Sequence, residues 1–342
     1  MTRIRRRRIL ALVLTMLSVI GLLVAAVFLR MHAAPEPARL LPECDGILYA
    51  NLKPVRTFTN FGQKPTAPEY RKFVEQTGFQ FERDLDEIAF AIHAPQDPQH
   101  EARYSEVMVG RFNSAQIADF VTRMAQSRES YRNHEIFLIP YEDRIVRVTM
   151  LSVDMIAASN TGDPAQIDHI IDEFRRSAFA SGGPRLLAHY YRDVPFGSLA
   201  WLITEVAPSR TMSLGDNIGP LPFVRQLFGG GVVVGSARYN GEVLLRADDF
   251  LRDEGAAKDR AEQLQNLLTL YKTTEHQTRP EHPDPDLESA LNSLKVDLKG
   301  ADVQVSASIP RGLIEKMVAT PAETEPHPQV APIPITPRHR KR

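Results

Sequence analysis

The first thirty residues carry a hydrophobic pattern unlike anything that follows. Ile9–Leu29 (ILALVLTMLSVIGLLVAAVFL) runs 21 residues without a charge, with Thr15, Ser18 and Gly21 as its polar members. A bilayer core takes about 20 such residues as a helix, whereas a helix at the edge of a soluble core shows a polar face. Arg3, Arg5, Arg6, Arg7 and Arg8 precede the run and Arg30 follows it. The positive-inside rule therefore sets residues 1–8 in the cytoplasm as a basic head and the bulk of the chain outside the inner membrane. A cleaved signal peptide has a similar head, but an apolar region of about 7–15 residues and a small-x-small site. Here Met31 and His32 occupy the −3 positions before Ala33 and Ala34, so an uncleaved, single-pass anchor is the expectation.

Beyond the anchor the periodicity changes from element to element. Residues 30–42 are rich in proline and alanine and read as a linker holding the fold off the membrane. Gly46–Leu52, Glu87–Ala94 and Tyr104–Phe112 read as strands. Residues 53–68 carry Pro54, Gly62, Pro65 and Pro68 and read as turns, ahead of a short helix at Glu69–Thr77. Ala115–Gln126 places Ile117, Phe120, Val121 and Met124 on one helical face behind an Asn113 or Ser114 cap. Glu135–Ile139, Arg144–Leu151 and Asp154–Ser159 are strand-like, and Asp163-Pro164 opens a helix with Ile167, Ile170, Ile171 and Phe174 on one face.

Breaks at Ser177–Pro184 and Asp193–Gly197 divide the chain. A strand follows at Ser198–Val206 with the only tryptophan, Trp201, and then a mixed segment at Leu214–Phe228. Asn240-Gly241 between Gly231–Tyr239 and Glu242–Phe250 is the strongest hairpin signal. A long helix is expected over Asp253–Lys272 and a short one over Leu287–Leu294. A second hairpin turns at Lys299-Gly300, with Val303, Val305, Ala307 and Ile309 alternating with Gln304, Ser306 and Ser308. A last helix runs from Pro310 to Val318, and residues 320–342, with six prolines and a final RHRKR, read as a disordered basic tail. Strands joined by tight turns make antiparallel sheet, and amphipathic helices need a sheet face to cover. The expected fold is therefore α+β. An N-terminal transmembrane helix precedes two related antiparallel-sheet-plus-helix subdomains, 43–182 and 196–319, distantly ferredoxin-like.

Charge and cysteine content narrow the partners. Six of the 41 basic residues lie in the first thirty positions, where no acid occurs, so 35 basic face 42 acidic residues in the remainder. That balance is no footprint for nucleic acid. Cys44 is the only cysteine, which excludes an internal disulfide, and it reads as a small core or surface residue.

Several stretches resemble a bacterial family of single-pass, membrane-anchored extracytoplasmic proteins of unknown function. LPECDGILYANL at residues 41–52 is similar to the family's LPADT-like start. YSEVMVGRFNSAQIADFVTRM, YRNHEIFLI and VTMLSVDMIAASNTGDPAQIDHIID follow in the family's order. The sequence departs from that pattern at Glu43-Cys44-Asp45 and at His134, where a turn glycine is usual. The resemblance, mainly over residues 41–205, implies topology and fold and carries over no functional residue.

Chemistry-bearing groups are sparse. His276, His282, Asp284, Asp286 and Glu288 cluster in a Pro-rich loop, which holds ligand geometry poorly and reads as solvated. Ser236 lacks the strand–turn–helix setting of a nucleophile. Gly229-Gly230-Gly231 precedes a Val-rich strand and not a helix, so it reads as a bend and not a phosphate loop. Asp84, Asp86 and Glu87, and the pair Asp248 and Asp249, read as structural acids at element ends. Arg175-Arg176 and the tail cations Arg338, Arg340, Lys341 and Arg342 suit contact with anionic polymers. No catalytic residue, metal ligand or cofactor is assigned. The expectation is a non-enzymatic binding or scaffolding module that meets an envelope protein. The alternatives are an envelope enzyme with dispersed loop residues, and a small-molecule or lipid carrier with Trp201 on its pocket wall. A large apolar cavity would favour the carrier, and a flat apolar patch the binding module.

Overall fold

The computed structural model describes residues 33–58, 68–95, 102–142, 144–176, 183–205, 231–277 and 284–319. The basic head, the Ile9–Leu29 run, Leu214–Phe228 and the tail lie outside the described residues. Among those described, no helix is long and apolar enough to cross a membrane. The first half comprises α1 (Glu36–Arg39), β1 (Gly46–Asn51), α2 (Leu52–Phe58), α3 (Pro68–Thr77), α4 (Phe81–Asp84), β2 (Leu85–His93), β3 (Arg103–Gly110), α5 (Ser114–Met124), β4 (Ser127–Tyr131), β5 (His134–Tyr141), β6 (Arg144–Met150), β7 (Met155–Ser159) and α6 (Ala165–Arg176). The second comprises α7 (Arg185–Tyr190), a 3-10 turn (Tyr191–Asp193), β8 (Ala200–Thr204), β9 (Val232–Tyr239), β10 (Val243–Phe250), α8 (Glu254–Gln277), α9 (Pro285–Asn292), β11 (Lys295–Lys299), β12 (Asp302–Ile309) and α10 (Arg311–Ala319).

All twelve described strands join one sheet in the order β11-β12-β10-β9-β8-β1-β2-β3-β7-β6-β5-β4, and every neighbouring pair is antiparallel. The fold is α+β, and the two stretches expected as subdomains meet edge to edge in it. β8 lies beside β1, with Trp201 opposite Tyr49 and Ile203 opposite Ile47. From that seam the order mirrors itself. β1-β2-β3 run outward one way and β7 lies beside β3; β8-β9-β10 run outward the other way and β12 lies beside β10. An amphipathic helix, α5 or α8, interrupts each half after its third strand.

The register sorts side chains onto two faces. The front face carries Ile47, Tyr49, Ala89, Ala91, Val107, Ala157, Trp201 and Ile203, and it holds the largest core. Ile167, Ile170 and Ile171 of α6 and Leu186 and Leu187 of α7 cover it. On the back face, Ile117 and Val121 of α5 pack with Phe137 and Ile156, and Ala257, Ala261 and Leu264 of α8 pack with Val303. The Asn113 side chain accepts from Gln116 N (3.3 Å), which fixes the start of α5. Both expected hairpins form, with Gly241 at φ +81° and Gly300 at φ +63°.

Four elements differ from the sequence expectation. The linker is no spacer from Pro35 onward: the Ala38 and Arg39 amides bond back to the Pro35 carbonyl (3.1 Å each), and Ala38, Leu40 and Leu41 are at most 2% exposed in the front core. Its Pro/Ala composition conceals a hydrophobic turn. α2 replaces the start of an expected turn region, because Pro54 sits in a first helical turn, where no amide donor is needed. β4 was not expected because SRESY is polar throughout, as suits an edge strand. Its turn into β5 places Arg132 (φ 47°) and Asn133 (φ 67°) in the left-handed region, the role a glycine usually takes. α7 lies between the two breaks at which a boundary is expected.

If residues 38–41 are core, Leu41→Ala costs about 2–5 kcal/mol. A true spacer residue would change stability by less than about 0.5 kcal/mol. Urea unfolding followed by Trp201 fluorescence distinguishes the two.

Candidate functional site

The structure disperses most of the polar groups picked out from the sequence into structural duties. Asp84 accepts from Gln80 N (2.9 Å) and from Arg83 (2.6 and 2.9 Å). Burial pushes its carboxyl up, but these donors, with Arg111 nearby, outweigh burial and hold it below the usual carboxylate range. Asp86 pairs with Arg56, and Glu87 accepts from the Tyr49 hydroxyl (3.0 Å). Asp284 caps α9 by accepting from Asp286 N (3.0 Å), and Lys316 of α10 bonds both Asp284 (2.8 Å) and Asp286 (2.9 Å). His282 lies outside the described residues, and among those described no cluster of three potential metal ligands occurs. Arg175 donates to the Arg132 carbonyl (2.8 Å), and Arg176 pairs with Glu173 (2.7 Å). The tail cations are outside the described residues.

Asp248 and Asp249 point to opposite faces. Asp248 takes a two-point contact from Arg246 (2.7 and 2.9 Å). Asp249 is buried 3.7 Å from Arg260, and neither of its oxygens accepts a hydrogen bond; burial raises its pKa and Arg260 lowers it. Ser236 is a buried strand residue whose hydroxyl donates to the Arg246 carbonyl (3.4 Å). A side chain at Gly231 would collide with the Phe250 carbonyl, so that glycine serves a close backbone approach; Gly229 and Gly230 lie outside the described residues. Burial pushes the Cys44 thiol up to about 12, which leaves it a weak nucleophile. Trp201 is 3% exposed and stacked on Tyr49 (5.3 Å between centroids), with Tyr191 edge-on at 5.5 Å. It belongs to the front core and is absent from the lining of the apolar depression described below.

Strand pairing assembles one network that sequence spacing hides. His93 Nε2 lies 3.0 Å from Ser105 Oγ, which lies 3.0 Å from Ser159 Oγ, which in turn lies 2.8 Å from Thr161 Oγ1. Burial lowers the His93 pKa, and nearby Asp45 opposes that. A serine, histidine and carboxylate are the parts of a nucleophilic triad. Their setting is wrong for it: Asp45 accepts from Ala94 N (2.8 Å), and Ser105 is 0% exposed, so no substrate carbonyl reaches its hydroxyl. The network ties β2, β3 and β7 together.

The remaining feature is the middle of the back face. One cross-strand row reads Val148, Ala158, Glu106, Phe90, Leu48, Leu202, Gly235, Ala247, Val305 from β6 to β12. α5 and α8 cover its two ends. Phe90, Leu48 and Leu202 between them are half-buried and belong to none of the buried clusters, while their front-face neighbours Ala89, Tyr49 and Trp201 are buried. Beside the row, Ala50, Leu52, Val55, Ala200, Ala237 and Val243 line a shallow apolar depression of about 170 Å³. Ligand pockets usually hold roughly 300–1,000 Å³, so this is a surface and not a cavity. Glu106 is the one ionisable member of the row. It makes no hydrogen bond or ion pair with the described residues, and burial pushes its carboxyl from the ordinary 4.5 up to about 7.

No protein-family model matches the chain, and no curated protein matches it. Solved structures of TP0453 align with the chain at low similarity. Crystal form III aligns with a TM-score of 0.44 at 9% identity, covering 83% of this chain and 98% of that one. Crystal form IV aligns at 0.42 and 9% identity (85% and 99% covered), and crystal form I at 0.41 and 10% identity (84% and 97% covered).

Glu106 gives the row a pH signature. Its folded pKa lies above its unfolded one, so the folded state holds a proton that the unfolded state releases between pH 4.5 and about 7. Stability falls as pH rises through that window. Glu106→Gln is therefore expected to gain up to about 3 kcal/mol at pH 8 and nothing at pH 4, read from urea unfolding at the two pH values.

Proposed function

We propose that the chain is a membrane-anchored extracytoplasmic binding module, non-enzymatic, whose recognition surface is the open middle of the back face. One observation carries the reading: large apolar side chains outside the described buried clusters stand half-buried between two helix-covered ends of the same sheet face. Open apolar patches of this kind mark interaction surfaces. The shallow depression suits docking of an envelope protein better than enclosure of a carried molecule. Asp284 caps a helix, Asp248 pairs with Arg246 and His93 joins a buried hydroxyl network, structural duties that support a non-enzymatic role.

Anchorage rests on the hydropathy of Ile9–Leu29, and orientation on the arginines before it. The mirrored strand order supports reading the two halves as related, each a distant ferredoxin-like unit opened into a shared sheet. Because Ala34 already packs against the front core, an anchor ending at Leu29 leaves only residues 30–33 as a tether. At about 3.5 Å per residue that spans roughly 14 Å, which holds the body close to the bilayer.

Two measurements test this. Alkaline phosphatase fused after residue 320 is expected to be active, as an extracytoplasmic C-terminus requires; an inactive fusion of normal abundance refutes the topology. A photo-crosslinking residue at Leu202 or at Leu245, which is 38% exposed on the same face, is expected to capture one common envelope protein in intact cells. The same residue at exposed Val153, in the turn between β6 and β7, is expected to capture none. Absence of any adduct from both back-face positions sinks the reading.

A further inference from the structure

Resting on that reading, we infer that the back-face row is built for an amphipathic helix of a partner protein whose apolar stripe is broken by one lysine or arginine, placed against Glu106. Three observations lead there. The first is a layer that the described helices leave incomplete. α5 packs over β5–β7 and reaches Met108 of β3 and Leu85 and Ile88 of β2, and α8 covers β11–β12. From β2 to β12 the sheet crosses five inter-strand steps, roughly 24 Å at strand spacing. A helix is about 10 Å across, so the gap admits one beside the short α2, whose Leu52 packs at the margin with the cluster around α5. A helix there would extend the layer that α5 and α8 already form on this face.

The second is the floor. Gly235 and Ala247 are small, and Leu48, Phe90 and Leu202 stand above them as a ridge. Apolar side chains at i, i+3, i+4 and i+7 of a docked helix can straddle that ridge. The third is charge. Glu106 sits in the row between Phe90 and Ala158 with no partner among the described residues. Its other same-face neighbours along β3 are Tyr104 and Met108, so no described cation faces it from its own strand or from the paired ones. A carboxylate left thus is costly; a cation delivered by the occupant would pair with it inside a newly desolvated contact, where such pairs set specificity.

The test uses the full chain in nanodiscs of zwitterionic lipid, with empty nanodiscs as the blank. The probes are two labelled 18-residue Leu/Ala helical peptides, polar on the far side, with Lys or Glu at the centre of the apolar stripe. Fluorescence anisotropy is expected to show the Lys peptide binding roughly tenfold tighter. Glu106→Lys is expected to invert that order. Glu106→Gln, which relieves an unmatched carboxyl and so keeps the fold, is expected to abolish the preference. Equal binding of both peptides to the unaltered chain overturns the charge match while leaving an open recognition face. Failure of both peptides, with a crosslinker at Leu202 capturing residues 206–230 of the same chain, overturns the inference and the open face together.

Discussion

The fold depends on the pairing of β1 with β8. Each half of the chain builds its own run of antiparallel strands, and either run alone would end in a long apolar edge. Pairing Ile47, Tyr49 and Leu48 with Ile203, Trp201 and Leu202 removes both edges at once. On the front side the seam carries the Tyr49–Trp201 stack with Tyr191 against it. Aromatic contacts of that kind add about 0.5–1.5 kcal/mol beyond their burial. A sheet made continuous in this way is apolar on both sides at its middle, so it demands cover on both sides. The front receives it from α6, α7 and the turn at Pro35. Among the described elements, the back receives it toward the two ends of the row.

Much of this architecture was legible from periodicity alone. The helices α5, α6 and α8 announce themselves by apolar residues at helical spacing, and the β9–β10 and β11–β12 hairpins by glycine turns between alternating runs. β12 reads correctly down to its faces: Val303 packs under α8, while Gln304 and Ser306 lie on the opposite face. What escaped notice had no local signature. β4 is polar on both faces, and its strand state comes from pairing with β5. The core role of Leu40 and Leu41 is hidden inside a stretch whose prolines imitate a linker. The joining of two expected units into one sheet is a long-range property, set by residues about 150 positions apart.

The candidate site was legible only in part. Polar clusters along the chain fold into caps and ion pairs: Asp284 and Asp286 with Lys316, Asp84 with Arg83. The groups that meet in space are far apart in sequence. Glu106 did leave a trace. In YSEVMVG it shares its face with Tyr104 and Met108, so a charge stands where the alternation calls for an apolar residue. The ridge residues Leu48, Phe90 and Leu202 also follow apolar neighbours, giving strands apolar on both faces. Such strands are the mark of a sheet covered twice, and the covering that the described helices provide on the back stops short of them.

A carboxyl at the centre of an apolar row needs a reason, because an alanine or valine there would be more stable at neutral pH. Burying an unmatched charge costs several kcal/mol in general, and the row has no described donor to offset it. One consequence is discrimination among partners. Two copies of this chain meeting row to row about a two-fold axis near Glu106 would bring the two carboxylates together, and like charges in a drying contact repel strongly. A purely apolar helix would cover the ridge but bury Glu106 without a counter-charge. An occupant carrying a cation at the right height escapes both penalties. The same residue that weakens the free fold thus separates one class of partner from the two commonest wrong ones, self-association and indiscriminate apolar binding.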